Sequence, residues 1–330
     1  MHAVTVAVDD APGVELLNFN ADGWLDYDGP ECSRAAFTDG CTDAACGGLW
    51  CGGCGSPGAI SLCREDLSCS PVFTQVSAGL NHACGLLSDN TISCWGWNDD
   101  GRASAPEGQF LKVSAGRYHT CGVRTDNTIT CWGRRVERQT NAPQGQFSQV
   151  SAGGYHTCGL RTDNTITCWG QNGYGQTDAP QGQFSQVSAG YYHTCGLRTD
   201  NTVSCWGWND DGQTNAPQGQ FSQVSAGELH TCGVRADNTI TCWGSNQWGQ
   251  TNAPQGQFSQ ISAGRGHTCG LRTDNTITCW GDNGNGQTNA PQGQFSQVSA
   301  GGEHTCGVRT NNTITCWGHN ELGQLNVPMP

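Results

Sequence analysis

Lysine is almost missing from this chain: Lys112 is the only one among 330 residues, and the formal charge is −13. A protein that holds nucleic acid or an anionic membrane by counterion release needs a basic footprint, so neither partner is expected. Long apolar runs are missing as well, and none reaches the ~18 residues a membrane-spanning helix requires. The opening MHAVTVAVDD has no charged n-region and no long apolar h-region, so a signal peptide is expected to be removed or never included. Helical periodicity is absent. So are a serine-histidine-acid pattern, a phosphate loop and an isolated carboxylate pair. No residue set stands out for catalysis, and the chain reads as a non-enzyme that requires no cofactor.

What the chain does have is 21 cysteines and 48 glycines. That cysteine content suits an oxidising compartment, and a secreted, periplasmic or cell-surface location is expected. A composition shift near Ser70 separates a cysteine-dense head, residues 1–70, from residues 71–330. In the head, Val4, Val6 and Val8 alternate with Thr5 and Ala7 as in a strand, which either joins the protein's own sheet or pairs with another molecule. Asn18, Asn20, Asp22, Gly23 and Asp26 follow the spacing of a calcium loop, with Asn18 where aspartate is usual and Gly29 where a bidentate glutamate would close the site. The same residues suit an ordinary Asx-rich turn. Seven cysteines (Cys32, Cys41, Cys46, Cys51, Cys54, Cys63 and Cys69) stand among glycines and small polar residues, with too few large apolar side chains for a core. Disulfides are expected to replace that core. An odd number leaves one thiol for the repeat region, for another molecule, or free.

From Phe73 onward one unit recurs every 37 residues without insertion, marked by Phe73, Phe110, Phe147, Phe184, Phe221, Phe258 and Phe295. Such a period signals a solenoid or a propeller. In Cys158-Gly-Leu-Arg-Thr-Asp-Asn-Thr-Ile-Thr-Cys168, a hairpin turning about Thr162-Asp163-Asn164 sets Leu160 opposite Ile166 and Cys158 opposite Cys168. The same register holds in every copy. It predicts seven cross-strand disulfides: Cys84–Cys94, Cys121–Cys131, Cys158–Cys168, Cys195–Cys205, Cys232–Cys242, Cys269–Cys279 and Cys306–Cys316. Phe147 to Gly153 supplies a third strand, and the crossing Thr177 to Gln183 has room for a short outer one. The expected fold is therefore all-β: a seven-bladed β-propeller of three-stranded blades, its edges hidden by radial repetition. The chain stops where another FSQVSAG would begin, so strand Phe73 to Gly79 is expected to complete the last blade.

SAG, two variable residues, HTCGL, TDNTITCWG and a glycine-rich GQ turn resemble the repeat of the regulator of chromosome condensation family, and the short blades are similar to those of bacterial secreted members. The resemblance covers all seven copies and excludes the head. It implies a propeller with a partner-binding face, in some members an inhibitory one.

One histidine per copy, such as His156, precedes the first cysteine by two residues. A residue found in every blade is expected to serve the blade, through a side-chain bond to turn backbone. Differences between copies carry more information, and they fall at the two residues before each histidine and at the six after each CWG. Strands alternate in direction, so both places lie on one face, with the TDN and APQGQ turns on the other. The varied face carries Trp97, Tyr118, Tyr155, Tyr174, Tyr191, Tyr192, Trp208 and Trp248, with Arg117, Arg134, Arg135 and Arg138 in the second copy. These residue types dominate binding hot spots. A protein or glycan ligand is expected there. The competing expectation is a structural protein that self-associates or anchors through its head.

Overall fold

Phe147, Val150 and Ala152 are buried, while Ser148 between them is exposed. That alternation makes the inner strand of a blade, Phe147–Ala152, with an irregularity between Phe147 and Gln149 where the register shifts. His156–Arg161 forms the middle strand, buried along nearly its whole length, and Ile166–Gly170 the outer one. Asn164 turns the hairpin with φ of 65°, the left-handed conformation that asparagine tolerates. Asp163 braces it, its Oδ1 accepting from Thr165 N at 3.0 Å and from Thr165 Oγ1 at 2.6 Å. Leu160 pairs with Ile166 and Cys158 with Cys168.

The computed structural model describes residues 71–329 throughout, and of residues 1–70 only short lengths of backbone. In the described array this blade recurs seven times as a three-stranded antiparallel sheet. Each sheet carries one disulfide between its middle and outer strands, at the seven positions named above. These bonds use fourteen cysteines of the 21, so none within the array is left for the odd cysteine of the head. The segment 177–183 forms no fourth strand.

The core lies between blades rather than within them. The middle strand of one blade packs on the inner strand of the next, as where Cys195 and Leu197 meet Phe221, Val224 and Trp243. Each phenylalanine of the array is almost fully enclosed. Burying such a side chain contributes ~1.5–3 kcal/mol, so every interface stabilises both of its blades. Polar bonds repeat the same connection: Ser151 Oγ accepts from Ala189 N at 2.9 Å, and Gln149 Nε2 donates to Val187 O at 3.2 Å.

The ring does not close by lending a strand. Phe73–Ala78 pairs within the first blade, and the last blade is complete in Phe295–Ala300, His304–Arg309 and Ile314–Gly318. Because each copy already holds its three strands in sequence, closure needs only the ordinary inter-blade bonds. They are present: Val76 N donates to Gln297 Oε1 at 2.8 Å, Ala78 N to Ser299 Oγ at 2.9 Å, and Trp95 Nε1 to Gln324 O at 2.9 Å.

The larger compact unit of the chain comprises Gln75–Leu86 and Asn90–Met329. In the head, Asn18–Phe19 pairs antiparallel with Leu25–Asp26, and Asp43–Ala45, Trp50–Gly52, Ile60–Cys63 and Cys69–Pro71 form a four-stranded sheet. The Val4 to Val8 strand, the calcium-loop side chains of Asn18, Asn20, Asp22 and Asp26, and the disulfides of the head lie outside the described residues.

Candidate functional site

On one face, two loops of each blade are stitched together by backbone. The residue after CWG donates its N–H to the carbonyl of the residue before histidine: Arg134 to Tyr118 at 3.0 Å, Gln171 to Tyr155 at 3.0 Å, Trp208 to Tyr192 at 3.0 Å. The first residue of each pair before histidine donates to the glycine carbonyl of the next blade, from Leu80 N to Gly116 O at 3.2 Å around to Gly302 N to Gly79 O at 3.0 Å. These seven bonds make a closed hoop about the central channel. Gly153 shows why the hoop needs glycine: a Cβ there would lie 2.5 Å from Gly190 O and 2.7 Å from His156 Cε1. Side chains at the first position, among them Arg117, Tyr191, Glu228 and Arg265, therefore surround the channel mouth.

The histidines lie beneath this hoop, fully buried, and six of the seven bond across blades rather than to turn backbone. His156 Nε2 is 2.8 Å from Thr194 Oγ1, and Thr194 Oγ1 donates to Gln176 O at 2.9 Å. Since the hydroxyl hydrogen is committed to that carbonyl, Nε2 carries the proton and Nδ1 is bare, without a partner. Burial, reinforced by the imidazole of the preceding blade, holds His156 down to about 3, so the ring is neutral. Among the described residues no group of three or more histidine, cysteine or acidic side chains is placed to hold a metal.

Above the hoop the aromatic residues converge on blades two to four. Tyr118 and Tyr155 stand 5.0 Å apart by ring centroids, Tyr155 and Tyr191 5.6 Å, Tyr191 and Tyr192 4.1 Å, and Tyr192 and Trp208 5.6 Å. Tyr174 packs at 5.0 Å on Tyr192 and remains 51% exposed. Arg117 lies 4.2 Å over Tyr191, and Arg134 5.1 Å over Tyr118. Burial raises the Tyr191 hydroxyl well above its ordinary value, helped by hydrogen bonding to Tyr192 and Tyr155, so Tyr191 presents a neutral phenol. Trp97 belongs to the first blade and stacks under the buried Arg102, 4.3 Å from its guanidinium. Trp248, 60% exposed on the fifth blade, has no ring-to-ring contact among the described residues. Arg135 and Arg138 are exposed on the loop that holds Arg134.

Charged residues at the channel mouth had given no signal as a group, although they occupy varied positions. Glu228 reaches Arg117 across the mouth at 3.4 Å and Arg265 at 3.2 Å, and Arg265 reaches Glu303 at 2.7 Å. The chain of alternating charge spans blades two, five, six and seven, so only the closed ring brings its members together. Burial works against the charge on Arg117, but Tyr191, Glu228 and Tyr118 outweigh it and the guanidinium is held more firmly than usual. Arg102 is the other residue missed: it fills the buried place of Gln139 and its counterparts, and pairs with Asp100.

No curated protein sequence matches the chain. Among solved structures, it is similar to the ectodomain of the receptor kinase CR4 of Physcomitrella patens, with TM-score 0.67 and 27% identity over 76% of this chain and 74% of that one. It is also similar to the CRINKLY WD40 ectodomain of the receptor kinase ACR4 of Arabidopsis thaliana, with TM-score 0.64 and 28% identity over 76% and 98%. Prp20p of Saccharomyces cerevisiae, whose structure was described with its binding to Gsp1p and histones, shares the fold at TM-score 0.64 and 15% identity over 78% and 85%. The family model described as the regulator of chromosome condensation (RCC1) repeat matches residues 73–102, 110–135, 147–176, 184–213, 221–250, 258–287 and 295–324. Seven matches, one on each blade, establish that the chain belongs to the regulator of chromosome condensation repeat family.

Proposed function

We propose that this chain is a secreted, non-enzymatic binding module that captures a protein ligand on its varied face and acts by occluding it. One observation carries the reading. The tyrosines and tryptophan of blades two to four form a continuous, half-exposed cluster on a single face, whereas the opposite face repeats the same turns from blade to blade. Rigid aromatic side chains supply large contact area at little entropic cost, which is why they dominate recognition surfaces. Seven disulfides support an oxidising compartment, and the similarity to two receptor ectodomains points the same way.

The test is capture of the ligand from the extracellular fluid in which the protein occurs. Tyr191→Ala/Tyr192→Ala/Trp208→Ala is expected to weaken capture at least ~100-fold, the loss that follows from removing central hot-spot residues. A triple variant that retains the melting profile of the wild type and captures equally well would refute the proposal.

A further inference from the structure

The second blade breaks the rules of its own repeat in ways that all end in arginine. Six blades place an asparagine two residues after CWG, where it clamps the loop: Asn172 Oδ1 accepts from Thr177 N at 2.9 Å and its Nδ2 donates to Asp178 at 2.8 Å. In the second blade Arg135 stands there and the clamp is gone. Six blades also place a glycine at the left-handed turn position, Gly175 with φ of 76° being typical. The second blade has Arg138, held at φ of 59°, a conformation strained for any residue with a Cβ other than asparagine or aspartate. Both departures cost the fold something, and neither gains an internal partner. Among the described residues no carboxylate lies within ion-pair distance of Arg134, Arg135 or Arg138. By contrast Arg102 and Arg117 are already neutralised by Asp100 and Glu228. Strain and lost bonding concentrated at exposed, unpaired charges mark a site held for a ligand.

We infer that the Arg134, Arg135 and Arg138 loop is an anion site that receives carboxylates of an acidic polypeptide segment, whose apolar residues lie on the adjoining tyrosines. This rests on the proposed binding role of the varied face and deepens it by naming the partner's chemistry. Guanidinium groups accept carboxylates through paired, planar hydrogen bonds. Charge around the loop decides between a short acidic segment and a long polyanion. Glu137 lies within the loop, and Asp99, Asp100, Asp210 and Asp211 occupy the corresponding loops of blades one and four. A nucleic acid or sulfated glycan extending past three arginines would meet those carboxylates and a molecule of net charge −13. A segment carrying a few carboxylates beside aromatic or aliphatic residues would not. Arg134, already lying over Tyr118, joins the charged loop to the aromatic cluster.

The test titrates the full chain, by fluorescence anisotropy, into a labelled dodecapeptide of alternating glutamate and leucine, with a heparin oligosaccharide and an oligothymidylate as the other arms. The diagnostic variant is Arg135→Asn/Arg138→Gly, which installs the residues the other six blades use and so is expected to melt at or above the wild-type temperature. Expected are saturable, salt-sensitive binding of the peptide, tighter than either polyanion, and a loss of at least ~10-fold in the double variant. Absence of saturable peptide binding to the wild type, equal binding by the double variant, or tighter binding of either polyanion overturns the inference. The aromatic triple variant separates it from its premise: peptide binding lost in the arginine variant but intact in the aromatic variant upholds the anion site while counting against the face as a whole.

Discussion

At the scale of single residues the seven blades form a natural experiment in which one copy is missing a hydroxyl. Six histidines find a threonine in the next blade, but His304 faces the first blade, where the residue is Ala83, and its Nε2 is buried without a partner. A buried, unpaired donor carries its desolvation cost uncompensated. Ala83→Thr would supply both halves of the relay, since the carbonyl of Gln324 stands where the other threonine hydroxyls find their acceptor. The substitution is expected to stabilise the chain by ~0.5–1.5 kcal/mol, read as a higher midpoint in denaturant with unchanged slope. A lower midpoint would mean that the first interface has no room for the extra methyl and hydroxyl. The histidines were legible as parts of the frame because each copy has one. Their partner was not, since a bond between residues 38 apart belongs to the ring and not to the repeat unit.

At the scale of the blade, most of the architecture could be read directly. A hairpin about Thr162-Asp163-Asn164 has one register that pairs both the apolar residues and the cysteines, and the strands adopt it. Each disulfide then ties a middle strand, buried between neighbours, to an outer strand that is only half-buried. Cys158→Ala/Cys168→Ala is expected to lower stability by about 2–3 kcal/mol, the effect of releasing a short loop in the unfolded chain. Loss of the outer-strand amide protection in hydrogen exchange, with the inner strand unaffected, would place the damage in that blade alone. If exchange accelerated equally in all seven blades, the blades would be one cooperative unit and the account of local bracing would fail. Three strands per blade were legible from the 37-residue period, whereas the self-contained last blade was not, for a physical reason: sequence gives the spacing of strands, but not which edge a strand takes when its own hairpin and a distant one compete. The charge chain from Arg117 to Glu303 was hidden in the same way, because its members are adjacent only across the channel.

At the scale of the whole molecule, closure places seven neutral imidazoles in one buried ring, and that ring sets the response to acid. His119, His156, His193, His230, His267 and His304 are each held down to about 3, and His82 also lies well below its ordinary value; burial is the leading cause throughout. In the unfolded chain they would titrate near ~6.5. Above that pH neither state binds the protons and stability is flat. Below it the unfolded chain takes up protons that the folded ring refuses, so stability falls progressively between ~6.5 and about 3. The turn aspartates Asp126, Asp163, Asp200, Asp237 and Asp274 are also shifted down, chiefly by hydrogen bonds from the threonine two residues on, but they are exposed and act only below the ordinary carboxylate range. The decline from pH 6.5 to 5 therefore belongs to the histidines. Calorimetric unfolding at pH 5, in buffers of different ionisation enthalpy and with disulfides intact, is expected to show uptake of about seven protons per chain. Uptake near zero would mean that the imidazoles are already protonated in the fold, and the bonds assigned from Nε2 to threonine would then have to be redrawn.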